Sequence, residues 1–444
     1  MTQLSPEAIT IIMFAGIMLG VLTGFPLAIP IGGVGVIVGF ALFGISVFDL
    51  IYSRVFALIT DYTLLAVPLF VFMGSMLEHS GIAEKMYSAL YLWLGGFRGG
   101  LAIVTVLIGT VMAACVGIIA ASITMLALIA LPAMLKRGYD KSLASGAICA
   151  GGCLGILIPP SIMLVIYGPM AWISVGQLFM AAFIPGFVLS GLYCTYIAVR
   201  SLLQPSIAPA VPIEERRVPF LKKTAMLITS LLPPAILILS VLGVIFLGIA
   251  PPTEAAAVGA FIATILAIAY RRFSWPVLKE TGLGTVKLTA MVLLIGSCST
   301  AFVSVLLSAG GGDVVANLIM STPGGKWGAF AIIMFICFIL GMFIDWIGIL
   351  FVMVPILAPV IPALGFDPLW FAMMICVNLQ MSFMTPPFAY AIFFLRGTAS
   401  SELGVTTADI IRGVIPFVIL IMVGLGLCVA FPQLILWLPG LMIK

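Results

Sequence analysis

The chain of 444 residues is 63% hydrophobic and only 8% charged, with 46 glycines, 28 prolines and a formal net charge of +4 at pH 7. Apolar stretches long enough to cross a bilayer follow one another almost without pause, which excludes a soluble globular protein and predicts a polytopic membrane protein made of helices. Stretches such as Ile236 to Leu247 lack the alternation of a barrel strand, and so small a charge, confined to loops, argues against a nucleic-acid partner.

In chain order, Ala8 to Leu22 reads as a retained membrane helix, because no charged leader with a small-residue cleavage site precedes it; residues 1–60 are expected to form N-terminal scaffold helices. Residues 61–203 read as a first repeat, with a long apolar stretch at about 101–135 and a proline-interrupted helix at about 143–170. Arg200 leads into the polar stretch 204–223, where Arg216, Arg217, Lys222 and Lys223 indicate a cytoplasmic loop by the positive-inside rule. From that anchor a span from about Thr224 to Ala250 reaches the outer face. Another, Glu254 to Tyr270, returns to the basic cluster Arg271, Arg272, Lys279 and Lys287, making 224–284 the scaffold helices of a second half. Pro251-Pro252-Thr253-Glu254 reads as the start of the returning helix, with Thr253 as its cap and Glu254 in its first turn. A span from about Leu288 to Ser308 leads through the second repeat, 285–406, with its own apolar stretch at about 327–363 and interrupted helix at about 369–395. Residues 407–444 read as a C-terminal membrane helix, Arg396 and Arg412 as topology signals, and both chain termini as lying outside.

A pattern occurs once in each repeat. Gly138-Tyr139-Asp140 is followed 19 residues after its Asp by Pro159-Pro160, and Gly365-Phe366-Asp367 at the same distance by Pro386-Pro387; the copies lie 227 residues apart (138 to 365). The apolar stretches just upstream are flanked by loops that the charges put on one side of the membrane: Arg98 and Lys136 inside for the first, Lys326 and Asp367 outside for the second. Each, at about 35 residues, suits either one tilted span with a loop or two half-length helices that enter and turn back. Re-entrant hairpins are favoured because they keep the two copies on opposite faces, as in an inverted repeat.

Within each interrupted helix the double proline removes a donor and disfavours helix at the residue before it, so Ile158 and Thr385 are expected in unwound backbone with free carbonyls. Such carbonyls, facing the hairpin tips, suit a small cation or an anionic solute; a plain structural kink is the alternative. Asp345 falls where the second hairpin turns, as a cation ligand, a proton carrier or a helix cap. Further oxygen ligands are Ser122, Thr124 and Ser161 in the first half and Asn378, Ser382 and Thr385 in the second. The eight cysteines lie in apolar segments and read as packing residues, and with His79 the only histidine the chain shows no metal cluster or enzymatic metal motif.

Leu131-Pro132-Ala133-Met134-Leu135-Lys136-Arg137-Gly138-Tyr139-Asp140-Lys141, Gly155-Ile156-Leu157-Ile158-Pro159-Pro160-Ser161-Ile162, Pro252-Thr253-Glu254-Ala255-Ala256 and Thr385-Pro386-Pro387 together resemble the large membrane subunit of tripartite ATP-independent periplasmic (TRAP) transporters. The resemblance runs over nearly the whole chain. It implies an all-α polytopic membrane protein of the bacterial inner membrane, not an enzyme, with an inverted repeat of two re-entrant hairpins and two broken helices and an elevator-type, ion transporter superfamily-like architecture. Its implied activity is sodium-driven import of an organic acid or related polar solute. Its implied partners are a small four-helix membrane subunit, a periplasmic solute-binding protein and membrane lipid. Carried over by motif, one sodium site comprises Gly117, Ser122, Gly155, Pro159 and Ser161, and the other Asp345, Asn378, Thr385 and Pro386. Where many members carry Ser-Gly-Ser at the first hairpin tip, this chain has Val116-Gly117-Ile118, so backbone carbonyls or Ser122 and Thr124 must substitute. The rival of similar architecture is a self-sufficient anion transporter or antiporter in which Asp345 carries protons.

Overall fold

The computed structural model describes residues 4–442; residues 1–3 and 443–444, which belong to the expected end segments, lie outside the described residues. The first part holds α1 (Pro6–Leu22), α2 (Ala28–Phe43), α3 (Ser46–Ile59), α4 (Ala66–His79), α5 (Ile82–Leu94), α6 (Gly100–Val116), α7 (Ile119–Leu135), α8 (Lys141–Cys153), α9 (Ile162–Ala171) and α10 (Val175–Leu203). There follow α11 (Phe220–Phe246), α12 (Pro252–Ala269), α13 (Trp275–Ser308), α14 (Gly311–Met320), α15 (Gly325–Gly341), α16 (Trp346–Leu357), α17 (Val360–Ala363), α18 (Pro368–Met384), α19 (Tyr390–Thr398), α20 (Thr407–Ala430) and α21 (Gln433–Leu436). No strand occurs among the described residues, and 6 helical segments, including α10, α11, α13 and α20, are long and apolar enough to cross a membrane.

One order of elements occurs twice: two helices, a helical hairpin, a broken helix and a long closing helix, as α4 to α10 and again, with the short α17 added, as α13 to α20. The Gly-aromatic-Asp motif makes the joint between hairpin and broken helix in both. Gly138 and Gly365 each take φ of 77°, a left-handed conformation that glycine adopts without strain, and so close the helix before the joint, the hairpin arm α7 in the first copy and the short α17 in the second. Asp140 then accepts from the Leu143 N–H at 2.9 Å and Asp367 from the Trp370 N–H at 2.9 Å, capping α8 and α18. The buried aromatic anchors the joint: the Tyr139 hydroxyl accepts from the Leu101 N–H at the start of α6, whereas Phe366 stacks on Trp370 with centroids 5.5 Å apart.

Within a membrane, helices gain little from hydrophobic exclusion of one another, and close contact of small residues drives their packing. The α8–α20 contact has this character: a Cβ built at Gly146 would sit 2.2 Å from the Gly413 carbonyl oxygen, and one at Gly413 2.1 Å from that of Ser142. Gly109 on α6 meets the backbone of Gly151 on α8 in the same way, at 2.7 Å. Between the two halves, α2 lies on α13, with Gly35 against the Phe302 backbone, and α12 lies on α4. The broken helices also interlock across the repeats, since α9 packs on the hairpin arm α16 and α19 packs on the hairpin arm α7.

Several boundaries differ from expectation. A single helix runs from Trp275 to Ser308, so the expected boundary at 284/285 and the start of a span at Leu288 both fall inside α13; Ser274 accepts from the Val277 N–H and Pro276 sits in the first turn, an effective helix start. Lys279 and Lys287 therefore lie on α13 instead of in a loop. The second hairpin closes at Leu357, and 360–363 form the separate short helix α17. Helix α11 begins at Phe220, placing Lys222 and Lys223 in its first turn. Thr253 does not cap α12: Pro251 holds the cap position, and Thr253 is buried at the second position of the helix with its hydroxyl unpartnered.

The connection between α10 and α11 is strapped to the base of the first hairpin. The N–H groups of Gly99 and Asp140 donate to the Ala208 and Ile207 carbonyls, and the Val211 N–H donates to Gly95. Arg137 adds a two-pronged contact with the Glu215 carboxylate and donates to the Tyr91 hydroxyl at 2.9 Å. That hydrogen bond from Arg137 holds the Glu215 carboxyl below its ordinary range, so the contact is in place at neutral pH and is lost as pH falls through the lowered value.

Gly146→Ala is expected to lower unfolding stability by about 1–3 kcal/mol, because a methyl group meets rigid backbone. The same change at Gly282, which faces open space, leaves stability unchanged or slightly raised, and thermal unfolding of the two purified variants checks the contrast.

Candidate functional site

The first hairpin turns at Gly117–Ile118, between two arms of 17 residues. Gly117 is left-handed at φ 66°, and a Cβ there would lie 3.3 Å from the Pro160 carbonyl oxygen, so the tip rests directly on the break between α8 and α9. The start of α7 presses on the last helical turn before that break. A Cβ at Gly155 would lie 3.2 Å from the Ser122 Oγ and 3.8 Å from the Ile118 carbonyl oxygen. Ser122 is fully buried with an unpartnered hydroxyl, a costly state for a polar group unless something outside the protein satisfies it. Ser161, also fully buried, donates its hydroxyl to the Ile156 carbonyl and so holds the break in shape. Gly117, Ser122, Gly155 and the Pro159-Pro160-Ser161 segment thus meet in one place. Thr124 does not join them: its hydroxyl lies 3.4 Å from that of Thr398 on α19, a contact between the two repeats.

The second hairpin has a wider tip, Met342 to Asp345, over the break between α18 and α19. The Phe388 N–H donates to the Met342 carbonyl at 3.0 Å, tying tip and break together. Asp345 is half-buried at the N-cap position of α16, beside the backbone N–H groups of Trp346 and Ile347 that open the helix. Tyr390, the first residue of α19, follows the break directly. Thr385 ends α18 and donates its hydroxyl back to Met381 at 2.7 Å. Asn378 stands apart, about 10 Å further along α18 by helical rise, and donates to the Met334 carbonyl at 2.8 Å within the α15–α18 contact. Ser382 on the same face donates to Phe338 at 3.1 Å. Tip two, which carries Asp345, is therefore tied to the break that carries Thr385 and Pro386 through Met342 and Phe388, whereas Asn378 and Ser382 bind hairpin to broken helix.

Both breaks contain the cis pairs Pro159-Pro160 and Pro386-Pro387. Among the described residues the carbonyls of Ile158 and Thr385 accept no backbone hydrogen bond, which leaves oxygens available at each break. Sequence reasoning passed over Tyr390 and Gln380. The latter is fully buried on α18 with both amide atoms unpartnered, and its one signal was an amide inside an otherwise apolar run.

Residues 10–434 match the family described as "Tripartite ATP-independent periplasmic transporter, DctM component". The chain belongs to this family. It is 30% identical to the C4-dicarboxylate TRAP transporter large permease protein of Pseudomonas aeruginosa, over 87% of this chain and 88% of that one. It is 28% identical to the ectoine TRAP transporter large permease protein of Halomonas elongata, over 97% and 99%. The solved YdaH transporter of Alcanivorax borkumensis shares the fold at a TM-score of 0.62 and 16% identity, covering 87% of this chain and 89% of that one. The chain is accordingly a TRAP large permease subunit, a multi-pass membrane transporter component and not an enzyme.

In this permease Asn378→Ala is expected to cost about 1–3 kcal/mol of stability by deleting a buried hydrogen bond, measured as a lowered unfolding midpoint of the purified protein.

Proposed function

We propose that this large permease imports a small polar or carboxylated solute across the bacterial inner membrane, coupled to sodium and by an elevator movement. In this reading a periplasmic binding protein delivers the solute, and a small membrane subunit completes the transporter. The observation that carries it is the pairing of each hairpin tip with a backbone break at which oxygens go unpartnered, above all the buried Ser122 hydroxyl. Sodium is a hard cation that takes oxygen ligands. At the first site Ser122, with backbone at Gly117, Gly155, Pro159 and Ser161, would hold it; at the second Asp345, Thr385 and Pro386 would, with Asn378 acting through the α15–α18 contact.

The half-helices α7, α9, α16 and α19 all begin at the tips and breaks, and their positive N-terminal ends suit the anionic part of a solute. Cation binding between tip and break would lock each hairpin on its broken helix, so that the loaded assembly moves as one body. The names of the relatives, a C4-dicarboxylate and an ectoine permease, fit the same class of small carboxylated solutes.

Uptake by the permease reconstituted with its two partner proteins is expected to follow an imposed sodium gradient. Uptake that ignores sodium and follows a pH gradient would instead support the proton-carrying reading of Asp345. Asp345→Asn should strongly weaken sodium coupling. Ser122→Ala should raise the sodium concentration for half-maximal uptake about tenfold, for a lost contact of about 1.4 kcal/mol.

A further inference from the structure

A groove of about 640 Å³ opens on the outer side of the helix bundle between α10 and α20, away from both breaks. One side is polar, formed by Arg200, Tyr196 and Gln204, and the rest is apolar, with Val199 and Leu203 on α10 and Leu420 on α20. Val199 is 50% and Leu203 77% exposed, as side chains that face lipid are.

Two helix contacts set the depth of the groove. Leu189 packs on Gly424, and Tyr196 on the Phe417 ring with centroids 5.3 Å apart, so α10 and α20 run antiparallel. In that register Arg200 lies level with the start of α20, at the end that leads into the basic connection carrying Arg217, Lys222 and Lys223. The positive-inside rule assigns that end to the cytoplasmic membrane surface, where anionic headgroups lie.

Arg200 is already positioned for such a group. It is half-buried and donates to the Tyr196 hydroxyl at 2.5 Å, while the Tyr196 ring is fixed against Phe417. Among the described residues no carboxylate lies within ion-pair distance of it. A guanidinium held by one hydroxyl keeps further donors free in a planar fork that matches a phosphate. The apolar wall continues from the charge toward the bilayer interior, so one amphiphile could occupy both parts. A free phosphate would leave the wall empty, and a neutral lipid would leave Arg200 without a counter-charge.

We infer that this groove is a binding site for one anionic phospholipid, its phosphate on Arg200 with Tyr196 and Gln204 and an acyl chain along Val199, Leu203 and Leu420. Helices α10 and α20 close the two repeats, so the lipid joins the halves at the membrane surface.

Native mass spectrometry of the full-length permease, titrated with phosphatidylglycerol or phosphatidylcholine in detergent, tests the site. Phosphatidylglycerol adducts are expected to exceed phosphatidylcholine adducts several-fold, and inorganic phosphate should not displace them. Arg200→Gln should reduce phosphatidylglycerol retention about tenfold. Leu203→Trp, an exposed change that fills the apolar part with Arg200 intact, should reduce it as well and supplies the test if Arg200→Gln fails to fold. Equal retention of the two lipids, unchanged retention in Leu203→Trp, or displacement by inorganic phosphate would each overturn the inference.

Discussion

Backbone that leaves helical geometry at membrane depth must be buried in protein or face a polar cavity, because lipid offers its N–H and C=O groups no partner. This chain has two such breaks, one at 154–161, buried throughout, and one at 385–389, where Pro386, Pro387 and Phe388 are exposed, and a hairpin tip lies against each. Each break lies under the tip of its own repeat's hairpin, and each following half-helix packs on the hairpin arm of the other repeat. The glycine contacts of α8 with α6 and α20 bring the elements around the first break close together.

The two covers are built differently. The first uses a two-residue tip, a left-handed glycine and a buried serine hydroxyl, so whatever it binds is met mainly by backbone. The second uses a four-residue tip with a half-buried aspartate at the start of α16, and Tyr390 opens the half-helix after the break. Side-chain substitutions should therefore perturb the second more directly, while the first responds to changes that alter backbone shape.

Much of this was legible before any coordinates because the decisive residues have local physical meanings. Glycine permits the left-handed turn at 138 and 365, aspartate caps the next helix, and paired prolines interrupt it. What stayed hidden depends on partners far away in sequence. Nothing local distinguishes Asn378, turned to Met334, from a ligand at the tip, or separates Ser122 from Thr124. Charge counting misplaced the start of α13 because Lys279 and Lys287 were read as loop residues, whereas long basic side chains can ride on a helix and reach water. Thr253 resembled a cap by type, but the prolines before it shift the helix start by two residues.

The central claim is that the two repeats are inverted in the membrane, with the two Gly-aromatic-Asp joints on opposite faces and the breaks between them. Single cysteines at the exposed positions 136 and 363, placed in a cysteine-free background, test it most directly with a membrane-impermeant thiol reagent. Ala363→Cys should be labelled in right-side-out vesicles and Lys136→Cys only in inside-out ones. Labelling of both from the same side would contradict the inverted repeat and the site built on it.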